Sequence, residues 1–117
     1  MTKHNLFLVL AFGLFSINSC TTLEPIKVSD KNLAPVEVKI LKYKFIPQTI
    51  EIKVGQTIQW INVEKRQYHS VWFEQQGEEE SEYMFPGDKL EKQFIKPGRY
   101  PYRCGPHPEM VGVIIVI

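Results

Sequence analysis

The chain has 117 residues, of which 44% are hydrophobic and 23% are charged, and its formal net charge is +1. This length and composition suit one globular domain with its own core and leave no room for a second domain. The net charge is too small to suggest a nucleic-acid partner, and we expect none.

Residues 1–19 resemble an export signal. Lys3 precedes an apolar stretch over residues 6–15 that is too short to span a bilayer as a helix. The signal ends in Ile17-Asn18-Ser19-Cys20, which resembles a bacterial lipoprotein cleavage site, although asparagine is unusual at its position. We therefore predict a lipoprotein signal peptide over residues 1–19, lipidation of Cys20, and a membrane-anchored protein of the bacterial periplasm or cell envelope.

Two alternatives for Cys20 stay open at this point. One is an ordinary cleaved signal peptide, and the other is a disulfide to Cys104, which two cysteines in an exported chain always suggest. Residues 20–35 are polar and turn-prone and contain two prolines, so we predict a flexible tether. Such a tether would give a lipid anchor the slack that it needs.

From residue 36 onward the pattern is one of strands and turns. Apolar residues alternate with charged ones over 36–40 and again over 50–54, which is the period of two that half-buried strands require. Further strands are predicted at Ile58 to Asn62, His69 to Phe73, Leu90 to Ile95, Tyr100 to Arg103 and Gly112 to Ile117. Seven to eight short strands indicate an all-β domain over residues 36–117, a Greek-key β-sandwich.

Large aromatic residues carry much of the buried area in a small sandwich. We therefore assign Trp60, Trp72 and Phe94 to the core. Met84 is assigned to packing as well, beside a candidate metal site.

That site centres on the stretch Cys104-Gly105-Pro106-His107-Pro108-Glu109-Met110, with His69 upstream. Apart from Met84, these are the only histidine, cysteine and methionine residues after residue 35. Each has a structural explanation when taken alone, as a buried thiol, a core or surface histidine, or a packing methionine. Together they are the donors that copper prefers, because sulfur favours Cu(I) and imidazole suits Cu(II), so that two histidines, a cysteine and a weak axial methionine hold the metal in both states.

These residues resemble the cupredoxins, and within that family the short-loop group that includes the amicyanins, with the loop Cys-x-x-His-x-x-Met. The resemblance covers about residues 36–117 and follows the order of the family's strands. It implies one mononuclear type 1 copper. It also implies that His69, Cys104 and His107 are the strong ligands and Met110 the weak axial ligand.

Two positions depart from the family pattern. The family usually has asparagine directly after the first histidine and often a hydroxyl residue after the cysteine, and these side chains tie the two ligand segments together. Here the positions are Ser70 and Gly105. Because such contacts orient ligands and tune the metal, the departures bear on the potential and rigidity of the site.

The resemblance implies a type 1 (blue) copper protein that shuttles single electrons between redox partners, such as a c-type cytochrome or an envelope oxidoreductase. The segment Glu74 to Glu91 holds seven acidic residues against Lys89 alone. It is either a solvated loop or an acidic face that steers a basic partner.

We expect no enzymatic activity, because four protein donors leave the metal little room for substrate, whereas catalytic metal sites keep an open position. Two other functions stay open. The protein could be a copper-binding carrier or buffer, although it lacks the Met-rich or His-rich stretches expected of one, or an accessory subunit docked on an envelope oxidase or reductase.

Overall fold

The computed structural model describes residues 34–117, together with Gly13. Apart from Gly13, the predicted signal peptide lies outside the described residues, as do Cys20 and nearly all of the predicted tether. No helix in the described part of the chain is long and apolar enough to cross a membrane.

Residues 34–117 contain seven strands and one short 3-10 helix at Glu74–Gln76. The strands, numbered in chain order, are β1 Val36–Leu41, β2 Lys44–Ile46, β3 Thr49–Ile52, β4 Thr57–Asn62, β5 Lys89–Gln93, β6 Gly98–Arg103 and β7 Val111–Val116.

The strands form two mixed sheets. One has the order β2-β1-β4-β5, with β1 and β4 parallel, and the other has the order β3-β7-β6, with β3 and β7 parallel. The chain therefore passes from the first sheet to the second at β3, back at β4 and again to the second at β6, as in a β-sandwich. The predicted all-β Greek-key sandwich is confirmed.

The alternation of burial along the strands places the core between the sheets. In β4, Ile58, Trp60 and Asn62 are buried, while the residues between them are only partly covered. In β7, the central strand of the second sheet, Ile114 and Val116 are buried in the same way. Each fully buried side chain of this size contributes about 1.5–3 kcal/mol relative to an exposed one.

The core prediction is confirmed for Trp60 and Phe94 and wrong for Trp72. Trp72 is only partly buried, because its ring packs under the guanidinium of Arg103 at 4.4 Å and its Nε1 donates to the carbonyl of Glu78. The neighbouring Phe73 is the buried residue, 3% exposed, and its ring lies 5.2 Å from that of Tyr102.

The predicted strand from His69 to Phe73 is also wrong in detail. Within residues 34–117 this segment forms only two isolated bridges, from His69 to Met84 on one side and from Trp72 to Arg103 on the other. Because its partners lie on opposite sides, no continuous ladder forms. Residues 69–73 instead bridge the end of β6 on one side and Met84 on the other. This position brings His69 close to Cys104, which follows β6.

Candidate metal centre

Three of the four predicted ligands meet at one point. The Nδ1 atoms of His69 and His107 lie 3.2 Å apart, and the Cys104 Sγ lies 3.7 Å from the first and 3.6 Å from the second. His69 and Cys104 are fully buried, whereas His107 is partly exposed. The three donor atoms thus form a nearly equilateral triangle with one edge toward solvent.

The size of this triangle suits a bound metal ion. Two nitrogen donors about 2.0 Å and a sulfur donor about 2.3 Å from a first-row metal, at angles near 120°, lie roughly 3.5–3.8 Å from one another. The observed distances of 3.2–3.7 Å are close to these values. One thiolate and two imidazoles in a trigonal arrangement are the donors of a copper electron-transfer site.

Met110 completes the loop that carries two of these donors. The Cys104 N–H donates to the Met110 carbonyl at 2.9 Å, and the Met110 N–H donates to the His107 carbonyl at the same distance. These two bonds close residues 104–110 into a compact loop between β6 and β7. They hold the Met110 backbone beside that of Cys104, and the Met110 side chain is buried, at 2% exposed.

His69 is positioned from outside the loop by Asn62, a fully buried residue at the end of β4. The Asn62 amide donates to the carbonyls of Gln67 and Met84, both at 2.8 Å, and its carbonyl oxygen accepts from the Glu64 N–H. All of its hydrogen-bonding groups are therefore used. Met84 in turn pairs with His69 through two backbone hydrogen bonds of 3.1 and 2.8 Å.

The electrostatics of His69 favour a neutral ring. Burial lowers its pKa from the usual 6.5, and the adjacent His107 lowers it further, while the carboxylate of Glu64 opposes both. The Glu64 oxygen lies 3.5 Å from Nε2, too far for a hydrogen bond, and Nε2 has no other partner among the described residues. This arrangement directs the Nε2 edge toward the carboxylate and leaves the Nδ1 lone pair available for a metal.

Comparison with known proteins agrees with this geometry. A family model described as a cupredoxin-like domain matches residues 6–116. The chain belongs to the cupredoxin family.

Amicyanins are among its relatives. The amicyanin of Paracoccus versutus is 32% identical over 121 residues, which cover 95% of this chain and 88% of the relative. Amicyanin-alpha of Methylorubrum extorquens is 32% identical over 93 residues, 76% of this chain and 77% of the relative. This cupredoxin binds one type 1 copper, as its homologues do, and its donor set and triangle fit that ion.

Solved structures agree with the assignment to the cupredoxin family. A reduced amicyanin variant superposes with a TM-score of 0.67 at 32% identity, covering 74% of this chain and 87% of that one. The copper-containing nitrite reductase of Thermus scotoductus superposes with a TM-score of 0.66 at 30% identity, but the match covers 72% of this chain and only 22% of the reductase.

Tyr43 is a site residue that sequence reasoning missed. Its ring packs edge-on against both histidines, with centroids 5.6 Å from His69 and 4.9 Å from His107, and it is 43% exposed. It lies in the two-residue turn between β1 and β2, where Lys42 and Tyr43 have φ of 52° and 58°. The Tyr43 N–H donates to the carboxylate of Glu64 at 2.9 Å. The Glu64 side chain therefore both faces His69 and holds this turn.

The two departures from the family pattern prove to be connected. The Ser70 N–H points at the Cys104 Sγ at 3.3 Å, and the Ser70 hydroxyl accepts from the Gly105 N–H at 2.7 Å. Ser70 therefore ties the segment that carries His69 to the loop that carries Cys104. The site is cross-linked, although neither position has the residue usual in the family.

Proposed function

We propose that this cupredoxin carries single electrons between redox proteins of the bacterial cell envelope. The observation that carries the proposal is the triangle formed by the His69 Nδ1, His107 Nδ1 and Cys104 Sγ atoms, with the two ligand segments cross-linked by Ser70. Bound copper supplies a one-electron couple. His69, Cys104, His107 and Met110 present the same donors in both oxidation states, and the partly exposed His107 brings one edge of the site near the surface.

An electron carrier agrees better with the site than an enzyme does. Catalytic metal sites keep a position open for substrate, whereas here four protein donors surround the site and three of them are buried. The likeness to nitrite reductase covers about a fifth of that enzyme, which supports a shared domain fold and not a shared reaction.

The surface near His69 supports a protein partner. Tyr68, Tyr83 and Phe85 are 41%, 50% and 56% exposed and pack on one another with centroids 5.0 and 5.9 Å apart. They flank the bridge between His69 and Met84. Exposed aromatic residues clustered in this way are typical of protein interfaces.

The acidic segment supports a smaller steering role than its sequence suggests. Glu74 is paired with Arg103 and Glu78 with Lys92. The other five acidic residues remain exposed without such pairs among the described residues: Glu79, Glu80, Glu82, Asp88 and Glu91. A redox partner such as a c-type cytochrome or an envelope oxidoreductase would then dock mainly through the aromatic cluster, with weak charge steering.

The proposed place of action is the periplasmic side of a membrane, through a lipid on Cys20 after removal of residues 1–19. The support is the sequence Ile17-Asn18-Ser19-Cys20 and the polar segment that follows it. We expect the native protein to fractionate with membranes and Cys20→Ser to remain unprocessed or become soluble. An unmodified N-terminus within residues 18–26, found by mass spectrometry, would contradict lipidation alone.

Electron transfer is tested by stopped-flow mixing of the reduced, copper-loaded protein with an oxidised c-type cytochrome. We expect a second-order reaction that slows in Tyr83→Ser, with the midpoint potential unchanged. Ile95→Ser is the matched control. Ile95 is 68% exposed and lies just before β6, at the opposite end of that strand from Cys104. No electron transfer to any cytochrome or envelope oxidoreductase would contradict the proposal.

A further inference from the structure

Glu80 belongs to the acidic segment but points toward the metal centre. The Ser70 hydroxyl donates to its carboxylate at 2.7 Å and at the same time accepts from the Gly105 N–H at 2.7 Å. The carboxylate therefore ends a chain of hydrogen bonds that begins one residue after Cys104. A hydroxyl donor to a carboxylate forms a charge-assisted bond, which is stronger than one between neutral groups.

The carboxylate also occupies the space that a side chain at position 105 would need. A Cβ built on Gly105 would come within 1.6 Å of the Glu80 Oε1 and 2.4 Å of its Cδ. Glycine at this position and glutamate at position 80 are thus sterically coupled. Glu80 fills the place of the hydroxyl residue that the family often has after the cysteine.

The backbone on both sides of Glu80 is fixed. Ser81 accepts from the Val71 N–H through its hydroxyl at 2.9 Å, and its own N–H donates to the Val71 carbonyl at 3.1 Å. Glu78 accepts from Trp72 through its carbonyl and pairs with Lys92 through its carboxylate at 2.8 Å. Glu80 therefore lies on a segment docked against residues 70–72, so the contact with Ser70 follows from the fold.

We infer that Glu80 is a positioning residue that both ties the two ligand segments together and lowers the reduction potential of the copper. This inference rests on the electron-transfer function proposed above. A negative charge near the site stabilises the more positive oxidised ion more than the reduced ion. Loss of that charge raises the potential, and loss of the tie loosens the loop at Gly105.

Glu80→Gln separates the two effects, because the amide oxygen can still accept from Ser70 while the charge is gone. We expect the midpoint potential to rise. At a fixed applied potential, the ratio of reduced to oxidised protein should increase by a factor on the order of three, a modest effect because solvent screens an exposed carboxylate. Glu79→Gln is the matched control. It removes the same charge from the neighbouring residue, which is exposed and has no contact with Ser70 or Gly105 in the described structure.

Gly105→Ala provides a second test at a different residue. The added methyl group must displace the carboxylate, whose flexible end can move, so this variant should raise the potential, but less than Glu80→Ala does, because the charge is moved and not removed. The double variant should have the potential of Glu80→Ala alone, because the methyl group then has no carboxylate to displace. In the copper-free protein, the Gly105 amide resonance should shift in Glu80→Ala and stay unshifted in Glu79→Gln.

The experiment is spectroelectrochemical titration of these variants after copper loading. A rise in Glu80→Gln no larger than that in Glu79→Gln, or additive shifts in the double variant, would overturn the inference. If the visible thiolate-to-copper band is present in every variant, such a result rejects only the role of Glu80. Absence of the band from the unaltered protein would reject the proposed function instead.

Discussion

The loop 104–110 and the segment 62–70 both supply copper ligands, but they hold them by different means. The loop carries Cys104, His107 and Met110 and is closed by two backbone hydrogen bonds of its own. The segment carries only His69, which depends on Asn62, on the pairing with Met84 and on the link from Ser70 to the loop. A metal site can therefore combine a local motif with a ligand fixed entirely by tertiary contacts.

The largest loss of stability is expected at Asn62, which fixes the segment that carries His69 through tertiary contacts. Asn62→Ala removes three hydrogen bonds at a fully buried position and leaves the carbonyls of Gln67 and Met84 without this donor. At roughly 1 kcal/mol for each bond, the free energy of unfolding should fall by about 3 kcal/mol. Urea unfolding of the copper-free protein measures this change.

The matched control is Gln93→Ala, whose amide donates to the Gly55 carbonyl at the exposed surface. Its cost should stay below about 1 kcal/mol. Equal costs for the two variants would mean that Asn62 does not fix the segment that carries His69.

A smaller effect is expected at Gly112, in the strand that follows the loop. A Cβ here would lie 2.4 Å from the Cζ of Tyr102, a buried ring in the opposite register position of β6. Gly112→Ala should therefore destabilise the fold by about 1–3 kcal/mol through overpacking. Glu109→Ala, an exposed change in the loop, should stay within about 0.5 kcal/mol, and a Gly112→Ala variant as stable as this control would show that the ring moves freely.

The smallest effect concerns the copper-free protein at acid pH. Because the pKa of His69 is lowered in the fold, the unfolded chain binds more protons below the ordinary value of 6.5. The contribution of His69 to stability is therefore complete above pH 6.5 and is lost as the pH falls below it. Unfolding curves between pH 5 and 8 should show this loss, and it should be reduced in His69→Gln. An unchanged pH dependence in that variant would contradict the assignment.

Sequence patterns predicted the β-sandwich and the part of the site that lies on the loop 104–110. The loop could be interpreted because its donors lie three residues apart. Strands β1 and β3 could be predicted because apolar residues alternate with charged ones, and β7 because it is an unbroken apolar run. The pairing of β1 with β4 is a contact between distant residues, which no local pattern reveals.

The features that were missed have no local signal in the sequence. Strand β2 has only three residues, too few for periodicity, and the turn at Lys42 and Tyr43 has none of the glycine or asparagine that usually marks positive φ. Asn62 resembles any polar residue at a strand end. Likewise, Ser70 and Gly105, which replace the residues usual in the family, are explained only by the position of Glu80, whose carboxylate fills the space beside Gly105.

The central claim is that one copper is bound by His69, Cys104 and His107 with Met110 as a weak fourth ligand. The direct measurement is the visible spectrum of the Cu(II)-loaded protein. We expect an intense thiolate-to-copper charge-transfer band that disappears in Cys104→Ala. Met110→Leu should keep the band and raise the midpoint potential, whereas Met84→Leu, at a methionine also buried but outside the loop, should change neither. Absence of the band from the unaltered protein, or its survival in Cys104→Ala, would contradict the account.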